Sequence, residues 1–329
     1  MRDRWTAILV VCVIALLAFI AFFFSPLLDG IVMGIVFAYV AKPVKKRMEG
    51  KTGKLAAALL ATLLIIVPIF ILMFYGVFQG INQVIYLFSH QHEVEESLVN
   101  ALRDAGIDEK YIEEIRAWIP NVISIIQSKV KLSAIDVTIR AIMFFMNFII
   151  SAIVCFYVLL DADDFVARAI RIIPEEKREE VARFIAELDE TLLALWFGNF
   201  AFAVIIGIAS IPFFIAFGIP YAPLLSGLMF LAALIPVFAE WMVLAPVALF
   251  LALKNLNTAI LFTFIGFTFL YFVPEVVLRP HFVGYASRIH PLALLLAFVG
   301  GAIAGGAAGF FIAPMLVAII TAVYNYYTR

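Results

Sequence analysis

The chain has 329 residues, of which 65% are hydrophobic and 14% charged, and its formal net charge is -1. Because apolar residues make up only about half of a soluble domain, this composition excludes a soluble protein and predicts an all-α protein that crosses the membrane several times. The charge balance predicts no nucleic-acid partner. Cys12 and Cys155 lie in apolar runs, so we predict that they form neither a disulfide nor a metal-binding pair. No nucleotide-binding, metalloprotease or hydrolase motif occurs, so we predict no enzyme activity, no metal site and no organic cofactor.

Four membrane spans are predicted before residue 161, three of them apolar runs long enough to cross about 30 Å of hydrocarbon as a helix and one a shorter run that completes a hairpin with the first. They occupy residues 5–24, 27–41, 55–88 and 137–160, the second being shorter than the others. The dense basic loop at 42–54 predicts that this loop and the N-terminus are cytoplasmic, because short cytoplasmic loops carry the excess of lysine and arginine. Residues 1–160 therefore form a predicted N-terminal four-span region. Its external helical segment, 89–135, is predicted to break at Gly106 and Pro120.

A cytoplasmic helix is predicted to lead into the fifth span. Pro174 followed by Glu175 and Glu176 favours a helix start, since proline is tolerated in the first turn and acids stabilise the positive end of the helix dipole. Apolar residues then keep helical spacing. We therefore predict a cytoplasmic amphipathic helix within 161–190 that continues directly into a span at 191–217.

The C-terminal part, residues 191–329, contains an internal duplication. Three prolines recur at a constant offset of 68 positions: Pro212, Pro223 and Pro246 match Pro280, Pro291 and Pro314. Prolines are scarce enough in apolar helical sequence that three matches in register indicate two repeats. The repeats cover 191–257 and 258–329, and together they form the predicted transport core.

The two repeats are predicted to have opposite orientations. In the first, an outward span is followed by a helical hairpin over 219–253; in the second, an inward span at 259–273 is followed by a hairpin over 291–324. Hairpin arms of about 15 to 17 residues rise only about 25 Å. Broken backbone at membrane depth survives only inside protein or beside a wet cavity, so we predict re-entrant hairpins whose tips meet near the midplane.

Inverted repeats with interrupted hydrophobic segments indicate the binding site of a transporter. A secondary transporter is therefore the first functional hypothesis. A membrane scaffold or receptor that moves nothing is the alternative. The repeats discriminate between them, because they supply the two related conformations that alternating access needs and for which a scaffold has no use.

Several motifs in order along the chain resemble the autoinducer-2 exporter (AI-2E) family. They are Phe156-Tyr157-Val158-Leu159-Leu160-Asp161 with Ile173-Pro174, then Phe217-Gly218-Ile219-Pro220-Tyr221-Ala222, Leu234-Ile235-Pro236, Leu278-Arg279-Pro280-His281-Phe282-Val283-Gly284, His290-Pro291-Leu292, and Gly300-Gly301, Gly305, Gly309 and Ala313-Pro314. One position departs from the family pattern. Where the family usually has glycine and then a small residue or proline, this chain has Ala239-Glu240, which argues against a direct transfer of autoinducer-2 as the substrate.

The resemblance implies a multi-pass transporter of the cell membrane, which exports a small polar solute or exchanges Na⁺ for H⁺, and the distribution of basic residues predicts that both termini are cytoplasmic. Na⁺ or H⁺ would then be the coupling ion. The resemblance also implies self-association into a homo-oligomer within the lipid bilayer, with a pentamer as one candidate state.

Glu240 is the first candidate for binding a proton or small cation, because ionisable groups within spans face a protein interior or water and are functional candidates by default. Its alternative role is an interfacial anchor beside Trp241. Glu275 and Arg279 are four residues apart on one helical face, and either bind the substrate or form a structural ion pair. Asp29 is a weaker candidate, most simply a polar residue at an external turn.

The remaining candidates are uncharged. Asn199 in the fifth span either coordinates a cation, binds a carbonyl of a hairpin tip, or joins two helices. Pro236 marks the bend of the first hairpin. Gly301, Gly305 and Gly306 mark that of the second, where they either expose backbone groups to a ligand or permit close helix packing. His90 and His92, with nearby glutamates, form only a weak candidate for a metal site.

Overall fold

A computed structural model describes residues 22–104, 106–130, 134–235, 240–279 and 289–327, together with residues 12, 16 and 19. All of its regular structure within these ranges is helical, which confirms the predicted all-α class. After a short 3₁₀ turn the helices are α1 Leu28–Thr52, α2 Lys54–Ser89, α3 Gln91–Asp104, α4 Glu109–Val130, α5 Ala134–Arg171, α6 Glu175–Ala216, α7 Ala222–Ala233, α8 Trp241–Lys254, α9 Leu256–Gly266 and α10 Pro291–Tyr327. Two π-helical segments, Phe267–Phe272 and Pro274–Leu278, continue α9.

Six helices of the described part are long and apolar enough to cross a membrane. They are Ser25–Thr52, Lys54–Ile71, Ile139–Arg171, Glu175–Ala216, Leu256–Leu278 and Leu292–Tyr324. The predicted first span, 5–24, falls mostly outside the described residues, whereas the sixth candidate is the predicted second hairpin. The arms of the first hairpin, α7 and α8, have 12 and 14 residues, so at 1.5 Å per residue they rise roughly 18 and 21 Å.

Helices α1, α2 and α5 form an N-terminal bundle around a cluster that contains Phe37, Ala61 and Cys155. Close approach of α1 to α5 requires glycine at two positions. A Cβ on Gly30 would overlap the backbone carbonyl of Asn147, and one on Gly34 would overlap the side chain of Val154. The backbone N–H of Gly30 also donates a hydrogen bond to Asn147 Oδ1 at 2.8 Å, so this contact is both tight and polar.

Helices α6 to α9 form a second core around fully buried Phe202, Phe214, Met229 and Phe262. Helix α6 runs without interruption from the polar helical turn at Glu175 to Ala216, as the sequence predicts. Helix α10 packs between the two cores, against both α1 and α6.

The second hairpin lies within α10. The backbone leaves the helical conformation at Gly305 and at Gly306, whose φ of 58° is readily adopted only by glycine. Gly301 and Gly309 are in direct contact, since a Cβ on either would overlap the carbonyl oxygen of the other. In a continuous helix, residues eight apart are separated by about 12 Å, so the chain must reverse between them.

Contacts between distant segments group the predicted cytoplasmic regions at one end of the molecule. Lys42 forms an ion pair with Asp189 at 2.7 Å, Lys54 with Asp164 at 2.6 Å, and the Tyr326 hydroxyl donates to Glu180 at 2.7 Å. At the opposite end, α3 packs against α8, whose last residue is Lys254. The side of the membrane that each end faces stays a prediction.

The segment 89–135, which is predicted to be external, breaks at Gly106, which has a φ of 76°, but not at Pro120. The predicted break at Pro120 is wrong: α4 continues through it to Val130. Proline in a helix interior removes one backbone hydrogen bond, and on this exposed helix water can bind the carbonyl that is left free. The predicted divisions at 160 and 190 fall inside α5 and α6 and stay predictions.

Candidate functional site

Arg279 is the centre of a buried polar cluster at the tip of the first hairpin. Its Nε donates to Glu275 Oε2 at 2.6 Å, its Nη1 to Asn199 Oδ1 at 2.9 Å and its Nη2 to the backbone carbonyl of Ala233 at 3.0 Å. The guanidinium carbon lies 4.1 Å from the ring centre of Phe202, within the range of a cation–π contact. One side chain thereby joins α6, α7 and α9.

Glu240 completes the cluster. One of its carboxylate oxygens, Oε1, lies 3.7 Å from Arg279 Nη2, and only 1% of the residue is exposed. The other oxygen, Oε2, is buried and has no hydrogen-bond partner among the described residues. A buried acceptor without a partner is costly, so this oxygen is the one unsatisfied feature of an otherwise well-bonded cluster.

The two helix ends at the tip have dipoles that match these charges. Arg279 binds a carbonyl at the C-terminal end of α7, where the dipole is negative, while Glu240 precedes the first turn of α8, where it is positive. The backbone N–H groups of Val243 and Leu244 bond to the main-chain carbonyl of Glu240. The helix dipoles of α7 and α8 therefore stabilise the charges of Arg279 and Glu240.

The local structure of α9 places Glu275 and Arg279 on the same side. Glu275 lies within the second π-helical segment, and Arg279 directly follows it. The wider turns of such segments are rare and occur mostly at functional sites. On α6, Asn199 and Phe202 are three residues apart and so share a face. The Asn199 amide nitrogen donates to the carbonyl of Leu195 at 2.8 Å, which fixes its oxygen toward Arg279.

The second hairpin tip is joined to the N-terminal bundle through Asp29. Its Oδ1 accepts a hydrogen bond of 2.7 Å from the backbone N–H of Ala308, two residues after the break at Gly306. Asp29 thus caps the returning arm of the hairpin and is more than a polar residue of an external turn. Gly301 serves the close packing of the two arms, whereas Gly305 and Gly306 form the reversal itself.

The repeat offset relates the two tips. Position 240 plus 68 is 308, so Glu240 occupies the place in the first repeat that Ala308 occupies in the second. Each returning arm begins beside a carboxylate: α8 has its own Glu240, and the arm at Ala308 has Asp29 from α1. The inverted repeat itself stays a prediction.

A cavity of about 470 Å³ separates the N-terminal bundle from the C-terminal helices. Residues next to both hairpin tips line it: Leu231 and Leu234 from the first, and Ala307 and Phe311 from the second. Residues at the end of α7 and residues beside the reversal in α10 therefore line one cavity.

The structure brings together four of the residues selected from the sequence, Asn199, Glu240, Glu275 and Arg279. Burial of Glu240 argues against its alternative role as a solvated interfacial anchor. Pro236 lies outside the described residues. Among those described, no group of three or more metal-binding side chains occurs, the region of His90 and His92 included.

Sequence reasoning missed three parts of the site. Ala233 contributes only its carbonyl, Phe202 is one of many phenylalanines, and the π-helical turns have no sequence signature of their own. Only the end of α7 carried a signal, because Leu234-Ile235-Pro236 indicates a helix end whose last carbonyls need donors.

Comparison with known proteins gives three relevant findings. A model of the AI-2E transporter family matches residues 9–329. A protein of Archaeoglobus fulgidus whose name proposes a transport role is 52% identical over 330 residues, covering 100% of this chain and 96% of that protein. Similarly named proteins of Methanocaldococcus jannaschii and Bacillus subtilis are 31% and 26% identical over 170 and 171 residues, each covering about half of both chains.

Proposed function

Because this chain belongs to the AI-2E transporter family, we propose that it is an ion-coupled secondary transporter that exports a small solute or exchanges cations. We place it in the cell membrane as a homo-oligomer with both termini cytoplasmic. The site lies between the two hairpins. The observation that carries the proposal is Glu240, a buried carboxylate with one unpartnered oxygen at a hairpin tip.

The charge of the cluster explains why it would take up a positive ion. With both carboxylates ionised, Glu240, Glu275 and Arg279 sum to a charge of -1 in a buried place. An uncompensated buried charge costs several kcal/mol, so one proton or one small cation is favoured at the free oxygen of Glu240. Arg279 already occupies the oxygens of Asn199, Ala233 and Glu275, which leaves few ligands for a metal ion and favours H⁺ over Na⁺.

Binding of a proton or small cation to Glu240 would change how the helices are held together. A neutral Glu240 attracts Arg279 less, which weakens the tie between the end of α7 and the start of α8. Arg279 also binds α6 and α9, so the change is passed to both repeats. We propose that the core of α6 to α10 then moves against the bundle of α1, α2 and α5, with the inverted repeat supplying its two related states.

Reconstituted liposomes test this function. A pH gradient and a Na⁺ gradient are imposed separately, with a pH-sensitive dye and a Na⁺-sensitive dye inside. We expect the protein to dissipate the pH gradient faster than protein-free liposomes do, and a Na⁺ gradient at equal pH to move protons if the chain exchanges the two ions. If both gradients persist as in protein-free liposomes, cation exchange is ruled out, and solute export and the scaffold or receptor alternative are left.

A further inference from the structure

The cavity between the bundle and the hairpins has walls that are mostly apolar, with many aromatic rings among them. Six of its rings are Phe37, Phe144, Phe148, Trp196, Phe200 and Phe230. Along α1 it extends from Asp29 to Val40, eleven residues or about 16 Å. Its volume of about 470 Å³ lies within the range of sites for drug-sized ligands, and its length fits an elongated molecule.

Apart from the indole N–H of Trp196, three of the described side chains that line this cavity have amide or charged groups, and two of them are already engaged. Both amide hydrogens of Asn147 are used, on the carbonyls of Pro26 and Met143, and its oxygen accepts from Gly30. Asp29 is held by the N–H of Ala308, at the positive end of a helical arm.

Arg140 is the third polar group, and it has neither a carboxylate nor a hydrogen-bond partner among the described residues. It lies seven residues before Asn147 on α5, about 10 Å along the helix axis, at the end of the cavity where α5 enters its apolar stretch. Arg140 is exposed at this end of the cavity, so its charge is accessible to an anion that enters, and charged residues beside apolar spans mark ligand pathways.

We infer that this cavity binds an amphipathic organic anion, with its single negative group at Arg140 and its apolar body among the aromatic rings. The inference rests on the proposed transport function for one point only, that the bound molecule is the cargo. A sugar-like solute fits poorly, because its hydroxyl groups would be buried against apolar walls without partners. An organic cation would gain from the aromatic rings but would meet the charge of Arg140.

Equilibrium binding of radiolabelled 1-naphthoate tests the inference. The full-length protein is placed in nanodiscs of neutral phosphatidylcholine, without any gradient. The competitors are 1-naphthylmethanol, the 1-naphthylmethylammonium ion and ribose. We expect saturable naphthoate binding, weaker competition by the alcohol, and no competition by ribose. Tighter binding of the ammonium compound than of naphthoate overturns the inference.

Two variants locate the site. Arg140→Gln should weaken naphthoate binding about tenfold, as expected for loss of a charged hydrogen bond, and leave the affinity for the alcohol unchanged. Arg116→Gln is the matched control, since Arg116 lies on α4 and pairs with Glu95 outside the cavity. Ala307→Phe fills the cavity and should abolish binding of both compounds. Unchanged naphthoate affinity in Arg140→Gln contradicts the inference, as does binding that survives Ala307→Phe.

The same assay decides where the anion comes from. Oleate is added as a further competitor. Displacement of naphthoate by oleate at concentrations well below that of naphthoate identifies a membrane-derived acid, and weaker displacement identifies a soluble acid. Both outcomes support an amphipathic anion at Arg140. Failure of this inference is distinguishable from failure of the proposed function. Gradients that dissipate without naphthoate binding overturn only the cargo class, whereas binding without any flux overturns only the transport function.

Discussion

Glu240→Gln should abolish the dependence of flux on pH while the protein remains folded in the membrane. Glutamine keeps the volume and removes the titratable proton, and its amide oxygen can face Arg279 in place of Oε1. The amide hydrogens would occupy the region of the unpartnered oxygen. The measurement is the initial rate of gradient dissipation in liposomes over a range of pH. This rate should depend on pH in the unmodified protein and should not depend on pH in the variant.

Glu113→Gln is the matched control for this experiment. Glu113 is exposed on α4, far from the cluster in the fold, so the same chemical change there should leave the pH profile as it is. A normal pH profile in Glu240→Gln would rule out Glu240 as the carrier and leave Glu275 or Asp29.

The second large effect is on stability. Arg279→Met should destabilise the protein by about 3–5 kcal/mol, the cost of removing one partner from a buried ion pair. It leaves Glu240 without its cation and removes the donors that bind Asn199 Oδ1 and the carbonyl of Ala233. Thermal unfolding in detergent measures the loss, with Arg116→Met as a control on an exposed arginine.

A double-mutant cycle separates the ion pair from the packing of the long side chain. Adding Glu240→Gln to Arg279→Met removes the isolated buried charge, so the double variant should be more stable than the sum of the two single effects predicts, by about 1 kcal/mol or more. Additive effects would show that Glu240 and Arg279 do not interact, contrary to the 3.7 Å separation of their charged atoms.

The sequence identifies each charged site residue individually but does not show that these residues contact one another. Glu240, Glu275 and Arg279 stand out because charge in an apolar segment is expensive, and the i, i+4 spacing predicts the Glu275–Arg279 pair, which the structure contains. The bond from Arg279 to Asn199, 80 residues away, depends on how α6 packs against α9. Apolar periodicity does not encode that arrangement, since both helices are apolar on most faces.

The fold was predictable wherever a strong local signal existed. Apolar length predicts the helices, Gly106 the break in the external segment, and the glycines near 305 the reversal within α10. Asp29 shows the opposite case. Its bond to Ala308 joins residues 279 positions apart, and no pattern in the sequence relates these two positions.

The accessibility of the space between the hairpins tests the central claim most directly. Ala307 lines the shared cavity beside the second tip, so Ala307→Cys is introduced with Cys12 and Cys155 replaced by serine and alanine. A membrane-impermeant thiol reagent is then applied from either side of reconstituted vesicles while the pH gradient is reversed. Transport between the two hairpins predicts that labelling from one side falls as labelling from the other rises. Labelling from a single side at a rate independent of the gradient would contradict it.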